Sequence, residues 1–165
     1  MKTTNMKKLA LAGILIAVGV ACSPFYIPVG ASKCFPIQHM VNVLAAVVLG
    51  PYYGVAMAFV TSLLRLAMGT GSILAFPGSM CGALLCGLVY HYTQKLPWTY
   101  VAEILGTGVL GGLAAWPLAT LFMSADVALF AYVIPFLVST VGGTVIAAVL
   151  IAALKKTHVL EQFAA

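Results

Sequence analysis

Residues 65–80 read RLAMGTGSILAFPGSM, and they set polar and flexible residues between a pair of long apolar runs. That arrangement decides the fold: each run is a helix suited to apolar surroundings, and this stretch turns the chain between them. Gly69, Gly71 and Gly78 allow backbone angles closed to other residues, while Pro77 is pre-set for a first helical turn. Thr70, Ser72 and Ser79 add hydroxyls. Two readings stand: a plain tight turn, or a join that folds back between helices and touches something small.

Composition sets the surroundings. Hydrophobic residues make up 63% of the 165-residue chain and charged residues 7%, and the mean hydropathy is +1.12. These values belong to an integral membrane protein. At roughly 20 residues per helical crossing, the expectation is an all-α fold of six transmembrane helices, a single domain over 1–165 in the cell membrane. The formal charge is +5, but the basic residues are scattered among apolar runs and form no stripe for nucleic acid. Cys22, Cys34, Cys81 and Cys86 show no CxxC pair and are read as small buried thiols, so neither a metal nor a cofactor is expected.

Outward from the join, the apolar runs are Leu9 to Ile27, Ile37 to Leu49, Tyr52 to Met68, Gly78 to Tyr92, Val101 to Met123 and Val127 to Leu154. Pro24, Pro28, Gly30 and Pro36 mark a loop from Pro28 to Pro36, and the second run is short for a crossing. The sixth is long enough for tilt or for a kink at Pro135. The first is a membrane helix in preference to a cleaved signal, because it continues past Cys22 through Phe25 and Tyr26. Threading six crossings puts Lys2, Lys7, Lys8, Lys95, Lys155 and Lys156 on one side. Positive residues favour the cytoplasm, so both termini are expected there. Gly69-Thr70-Gly71 recurs as Gly106-Thr107-Gly108, but the flanks do not align.

Polar residues at membrane depth are costly without partners, so each is a candidate site. Gln38, His39 and Asn42 share a face at the outer end of the second helix, and they either line a pocket or hydrogen-bond between helices. Arg65 is expected to snorkel to the interface. Glu103, in the inner half of the fifth helix, is expected to bond to a neighbouring helix, having no acidic or histidine group near it in sequence to relay a proton. Trp116 lies toward the outer half of the same helix, and Asp126 opens the sixth. Small residues line helix one at Gly13, Ala17 and Ala21, helix five at Gly108 and Gly112, and helix six at Ser139, Gly143 and Ala147; on helices five and six they are read as internal packing. The chain contains no GxxxxGK[ST] and no HExxH, and GTGS and PGSM do not match the GxSG of rhomboid-like hydrolases. It is read as a non-enzyme.

A smooth first helix with Ala17-x-x-x-Ala21, the segment PVGASKCFPIQHMVNVLAAVVLGP and the join RLAMGTGSILAFPGSM together resemble an S component of an energy-coupling-factor (ECF) vitamin transporter, and more narrowly the ThiW family. The resemblance implies a substrate-binding subunit, open to the outside, that works with a transmembrane coupling protein (the T component) and two cytoplasmic ATPases. The family's AxxxA contact maps onto Ala17 and Ala21, with Gly13 extending the face. The implied ligand is 4-methyl-5-(2-hydroxyethyl)thiazole, a thiamine precursor. It calls for an aromatic surface from Trp116 or Phe76, and for hydrogen bonds from Gln38, His39, Asn42, Ser72 or Ser79. The reading set against it is an autonomous ion-coupled carrier using Glu103 and Asp126.

The topology is testable with a variant that lacks the native cysteines. A cysteine at Gly71 is expected to react with an impermeant thiol reagent applied from outside, and one at Lys95 to stay unlabelled. The opposite pattern inverts the assignment.

Overall fold

The computed structural model describes residues 5–29 and 32–157; Lys2 and Gly30 lie outside them. The described residues form six helices and a short hairpin. In order these are α1 (Asn5–Ala21), β1 (Ile27–Val29), β2 (Ser32–Cys34), α2 (Pro36–Val48), α3 (Pro51–Ala67), α4 (Ala75–Thr93), α5 (Leu96–Phe122) and α6 (Val133–Lys156). Both α5 and α6 are long and apolar enough to cross a membrane.

The bundle is built around α2, which touches every other helix. From Gln38 to Ala46 each of its residues is buried, with Met40, Val41, Val43 and Leu44 packed among Ala12, Met57, Ala147 and Ile151. A helix enclosed in this way meets no lipid, and thirteen residues make a rod of only about 20 Å. The chain enters it from the hairpin. It is antiparallel, with Ile27 opposite Cys34 and Pro28 opposite Lys33, where the sequence suggested only a loop. Cys34 Sγ donates to Pro135 O at 3.1 Å, and Phe35 N to Ser139 Oγ at 2.8 Å, which pins the hairpin to the start of α6. Burial pushes the Cys34 thiol up. Cys86 is also buried, while Cys22 and Cys81 are half-buried.

Helix ends follow local chemistry. At the end of α3, Thr70 N donates to Arg65 O and Gly69 N to Leu66 O, both at 3.0 Å, and Gly69 sits at φ +70°. This is the paired-bond C-cap that favours glycine at its left-handed position. The join also folds back: a Cβ at Gly71 would stand 3.0 Å from Arg65 Cβ. The neighbouring Ser72 is exposed, so it is the better position for the labelling experiment above. α6 starts at Val133, not Val127, which leaves Asp126 exposed in the preceding loop. Pro135 consequently falls in the first turn, where its missing N–H needs no partner, and no kink arises there. α1 ends at Ala21, and Ile27 belongs to β1.

Close approach of α4 and α5 depends on glycine. A Cβ at Gly111 would lie 2.5 Å from Gly78 Cα, and one at Gly106 would lie 2.9 Å from Gly82 Cα. The small-residue faces of helices five and six are likewise internal: Gly112 abuts Val133, Gly143 abuts Pro36 and His39, and Ala147 is buried. Gly13 is the opposite case. It has nothing within 4 Å of its Cβ position, and Gly13, Ala17 and Ala21 are all exposed.

Gly111→Ala is therefore expected to push α4 and α5 apart and to destabilise the protein by about 1–3 kcal/mol, read as a lower thermal midpoint in detergent. Gly13→Ala, which adds a methyl group to open space and improves helix propensity, is expected to leave the midpoint unchanged or slightly raised.

Candidate functional site

Gln38, His39 and Asn42 lie three and four positions apart on α2, within a helix that has no solvent face. Their polar groups must find protein partners, and they do so in one connected chain. Gln38 Nε2 donates to Ser62 Oγ at 3.0 Å, and Ser62 Oγ is 3.0 Å from Ser79 Oγ. Asn42 Nδ2 reaches both Ser79 O and Glu103 Oε1 at 3.1 Å. α2, α3, α4 and α5 are thus joined by side chains that would each be costly to bury alone.

At one end of the chain is Glu103, which is fully buried. Its Oε1 lies 3.1 Å from His39 Nδ1 and accepts from Thr107 Oγ1 at 2.9 Å in addition to Asn42. Oε1 thus gathers three neighbours, while Oε2 is buried with no partner among the described residues. Thr107 and Glu103 press against Gly82, where a Cβ would stand 2.7 Å from Glu103 Oε2, so the missing side chain makes room for the carboxylate. Immediately after Glu103 the helix widens to π geometry over Ile104–Gly111, a distortion that recurs at functional sites.

At the other end is Arg65, 1% exposed. Its Nη1 donates to Gln38 Oε1, and its Cζ lies 3.8 Å from the centroid of the Phe35 ring, a cation–π contact shielded from water. Sequence alone predicts that this side chain snorkels outward. Instead, Phe35, between the hairpin and α2, covers it.

Between these ends is a small pocket of about 60 Å³, below the usual range of small-molecule sites. Phe35, Phe136 and Gly78 give it apolar walls, and Gln38, His39, Arg65, Ser79, Thr107 and Ser139 give it polar ones; Lys33 and Ser72 stand at its edge. A wider hollow of about 340 Å³, bounded by Gly69, Thr70, Gly71 and Tyr132, shares Lys33, Phe35, Ser72 and Phe136 with it and forms a vestibule within that range. The cavity is reached from the hairpin end of the bundle.

Of the residues expected at a site, Gln38, His39, Ser72 and Ser79 line the cavity, and Asn42 stands behind it, holding Ser79 and Glu103. Phe76 and Trp116 are not brought there. Phe76 stacks edge-on with the exposed Phe59 ring at 5.5 Å, and Trp116 Nε1 donates to Val127 O at 3.0 Å, bracing the loop before α6. The aromatic walls are Phe35 and Phe136 instead. Glu103 is not alone, because His39, sixty-four positions away, meets it in space. One signal for that contact was available: Glu103 is the sole acidic residue within an apolar run, and it and His39 each stand third from the start of one. Nothing comparable marked Phe35, Phe136 or Ser139.

The described residues contain no cluster of three or more His, Cys, Asp or Glu side chains able to hold a metal. No curated sequence matches the chain. The family model described as "Thiamine-precursor transporter protein (ThiW)" matches residues 9–157, which take in the hairpin, nearly all of the six helices and every residue of the cavity. With a pocket of aromatic and polar side chains inside a helical bundle and a match over almost the whole of that bundle, the chain belongs to the ThiW family of thiamine-precursor transporters.

Proposed function

We propose that this protein is the substrate-binding S component of an ECF-type importer, a multi-pass protein of the cell membrane. In this reading six helices span the bilayer with both termini in the cytoplasm, and the hairpin end faces outward. The cavity takes a thiazole precursor of thiamine. The observation that carries the reading is the separation of two surfaces. The cavity opens at the hairpin end, walled by α2 to α6, while the Gly13, Ala17 and Ala21 face of α1 is exposed, with open space around Gly13. Binding and coupling are thereby assigned to different elements, as a subunit without its own motor requires.

Within the cavity a flat, mostly apolar ring fits against Phe136 and Phe35, and its heteroatoms are within the reach of Gln38, His39, Ser79 and Ser139. Energy comes from outside the chain: the T component and its two ATPases would meet α1, where small side chains let a facing helix approach closely. The second reading, an autonomous ion-coupled carrier, has one observation in its favour, the buried His39–Glu103 pair. Its other proposed group, Asp126, is exposed in a loop. Reconstituted alone in vesicles, an S component binds thiazole without concentrative uptake, whereas a carrier accumulates it when an ion gradient is imposed.

Two outcomes test the site. Phe136→Ala is expected to weaken thiazole binding by the worth of one aromatic contact, about 0.5–1.5 kcal/mol, while Trp116→Ala leaves the affinity near normal; calorimetric titration of the purified variants measures both. The reverse ranking moves the ring to the Trp116 side of α5.

Coupling is tested by Ala17→Trp and Ala21→Trp. Each is expected to keep its thiazole affinity but to lose co-purification with the coupling module and uptake in cells that contain it, because dispersion contacts fall away once a bulky ring separates the helices. Normal assembly and uptake in both variants would place the coupling surface on another helix.

A further inference from the structure

We propose that the ligand of this cavity carries an anionic oxygen group, a carboxylate or a phosphate ester, and that Arg65 receives it. The identity of the ring rests on the thiazole reading above. The anion site rests on Arg65 itself.

The guanidinium is 1% exposed, and only some of its donors are used. Nη1 bonds Gln38 Oε1, and Phe35 covers one face. Nε and Nη2 are buried with no acceptor among the described residues. These two nitrogens share one edge of the planar group, and their N–H bonds run parallel along it. That edge is the fork that two oxygens of one carboxylate or phosphate accept together.

The charge is unanswered as well. The chain has three acidic residues. Glu103 is engaged by His39, Asn42 and Thr107, Asp126 is exposed in its loop, and Glu161 lies outside the described residues. The cavity itself presents Lys33, His39 and Arg65 and no carboxylate. An enclosed charge without a counter-ion is costly, and removing donors from water without acceptors adds to that cost. A ligand anion answers both at once: it fills the two unused donors and neutralises the guanidinium. Its ring then extends along Phe136 toward Ser79 and Thr107. The same arrangement disfavours a permanently cationic thiazolium, which would meet like charge at the cavity edge and again inside.

The test uses the purified full-length chain in detergent and four probes: 4-methylthiazole-5-acetate, 4-methyl-5-(2-hydroxyethyl)thiazole, the phosphate ester of that alcohol, and inorganic phosphate alone. At least one anionic thiazole is expected to bind the wild type about tenfold or more tighter than the neutral alcohol, the worth of a charge-assisted pair of bonds. Comparing acetate with phosphate ester tells the two anion types apart. In Arg65→Gln the anions are expected to fall to the level of the alcohol. Arg65→Lys keeps the charge and loses the fork, so it is expected to retain only a fraction of the preference, and it decides the matter if the Gln variant does not fold. An alcohol that binds the wild type as tightly as both anions, or an anion preference undiminished in the Arg65 variants, overturns the anion site and leaves the thiazole reading standing. Thermal stabilisation of the wild type by inorganic phosphate but not of Arg65→Gln, with no thiazole bound, keeps the anion site and removes the thiazole reading. No response to any probe removes both.

Discussion

A helix enclosed on every side that nevertheless carries Gln38, His39 and Asn42 imposes one constraint on everything around it: each amide and ring nitrogen must be matched by a partner from another helix. The structure meets that constraint with Ser62 from α3, Ser79 from α4 and Glu103 from α5. Few arrangements of α3, α4 and α5 around α2 satisfy all of these bonds together, because shifting any one of the three by a turn leaves a buried polar group unpaired. Apolar packing around Met40, Val43 and Leu44 supplies attraction but is indifferent to register. The polar chain is what sets register, and it also forms one wall of the cavity.

Glycine makes the network geometrically possible. Side chains as short as serine and asparagine bridge helices only when the backbones are close, and α4 approaches α5 through Gly78, Gly82, Gly106 and Gly111. At Gly82 the absence of a side chain makes direct room for the Glu103 carboxylate. The same residue type has a different use at Gly69, where the left-handed backbone ends α3 and turns the chain back toward Arg65. The recurring Gly-Thr-Gly triplets are therefore unrelated in structure, one forming a turn and the other a helix interior.

Charge is distributed unevenly along the chain of bonds. Glu103 is surrounded by donors at one end, whereas Arg65 at the other bonds a neutral amide and an aromatic face. Between them the links from Gln38 to Asn42 are neutral, so the positive end borders the cavity while the negative end lies behind His39. A binding site with that polarity selects by sign as well as by shape.

Much of this was legible in the sequence. Apolar runs located every helix, though not every helix end, because helix formation in apolar surroundings depends on local composition. The spacing of Gln38, His39 and Asn42 placed them on one face, and the smoothness of the Gly13, Ala17 and Ala21 face followed from residue size alone. The hairpin was not legible, since strands of three residues carry almost no periodicity and Pro28 and Pro36 read as loop. What only the tertiary structure decided are the contacts that join distant positions. Because α2 is short and entered through the hairpin, His39 lies level with Glu103, and Phe35 folds over Arg65, so a side chain that composition sent outward is sealed inside. Depth in a bundle is set by how neighbouring helices are offset, and no local pattern along one helix encodes that offset.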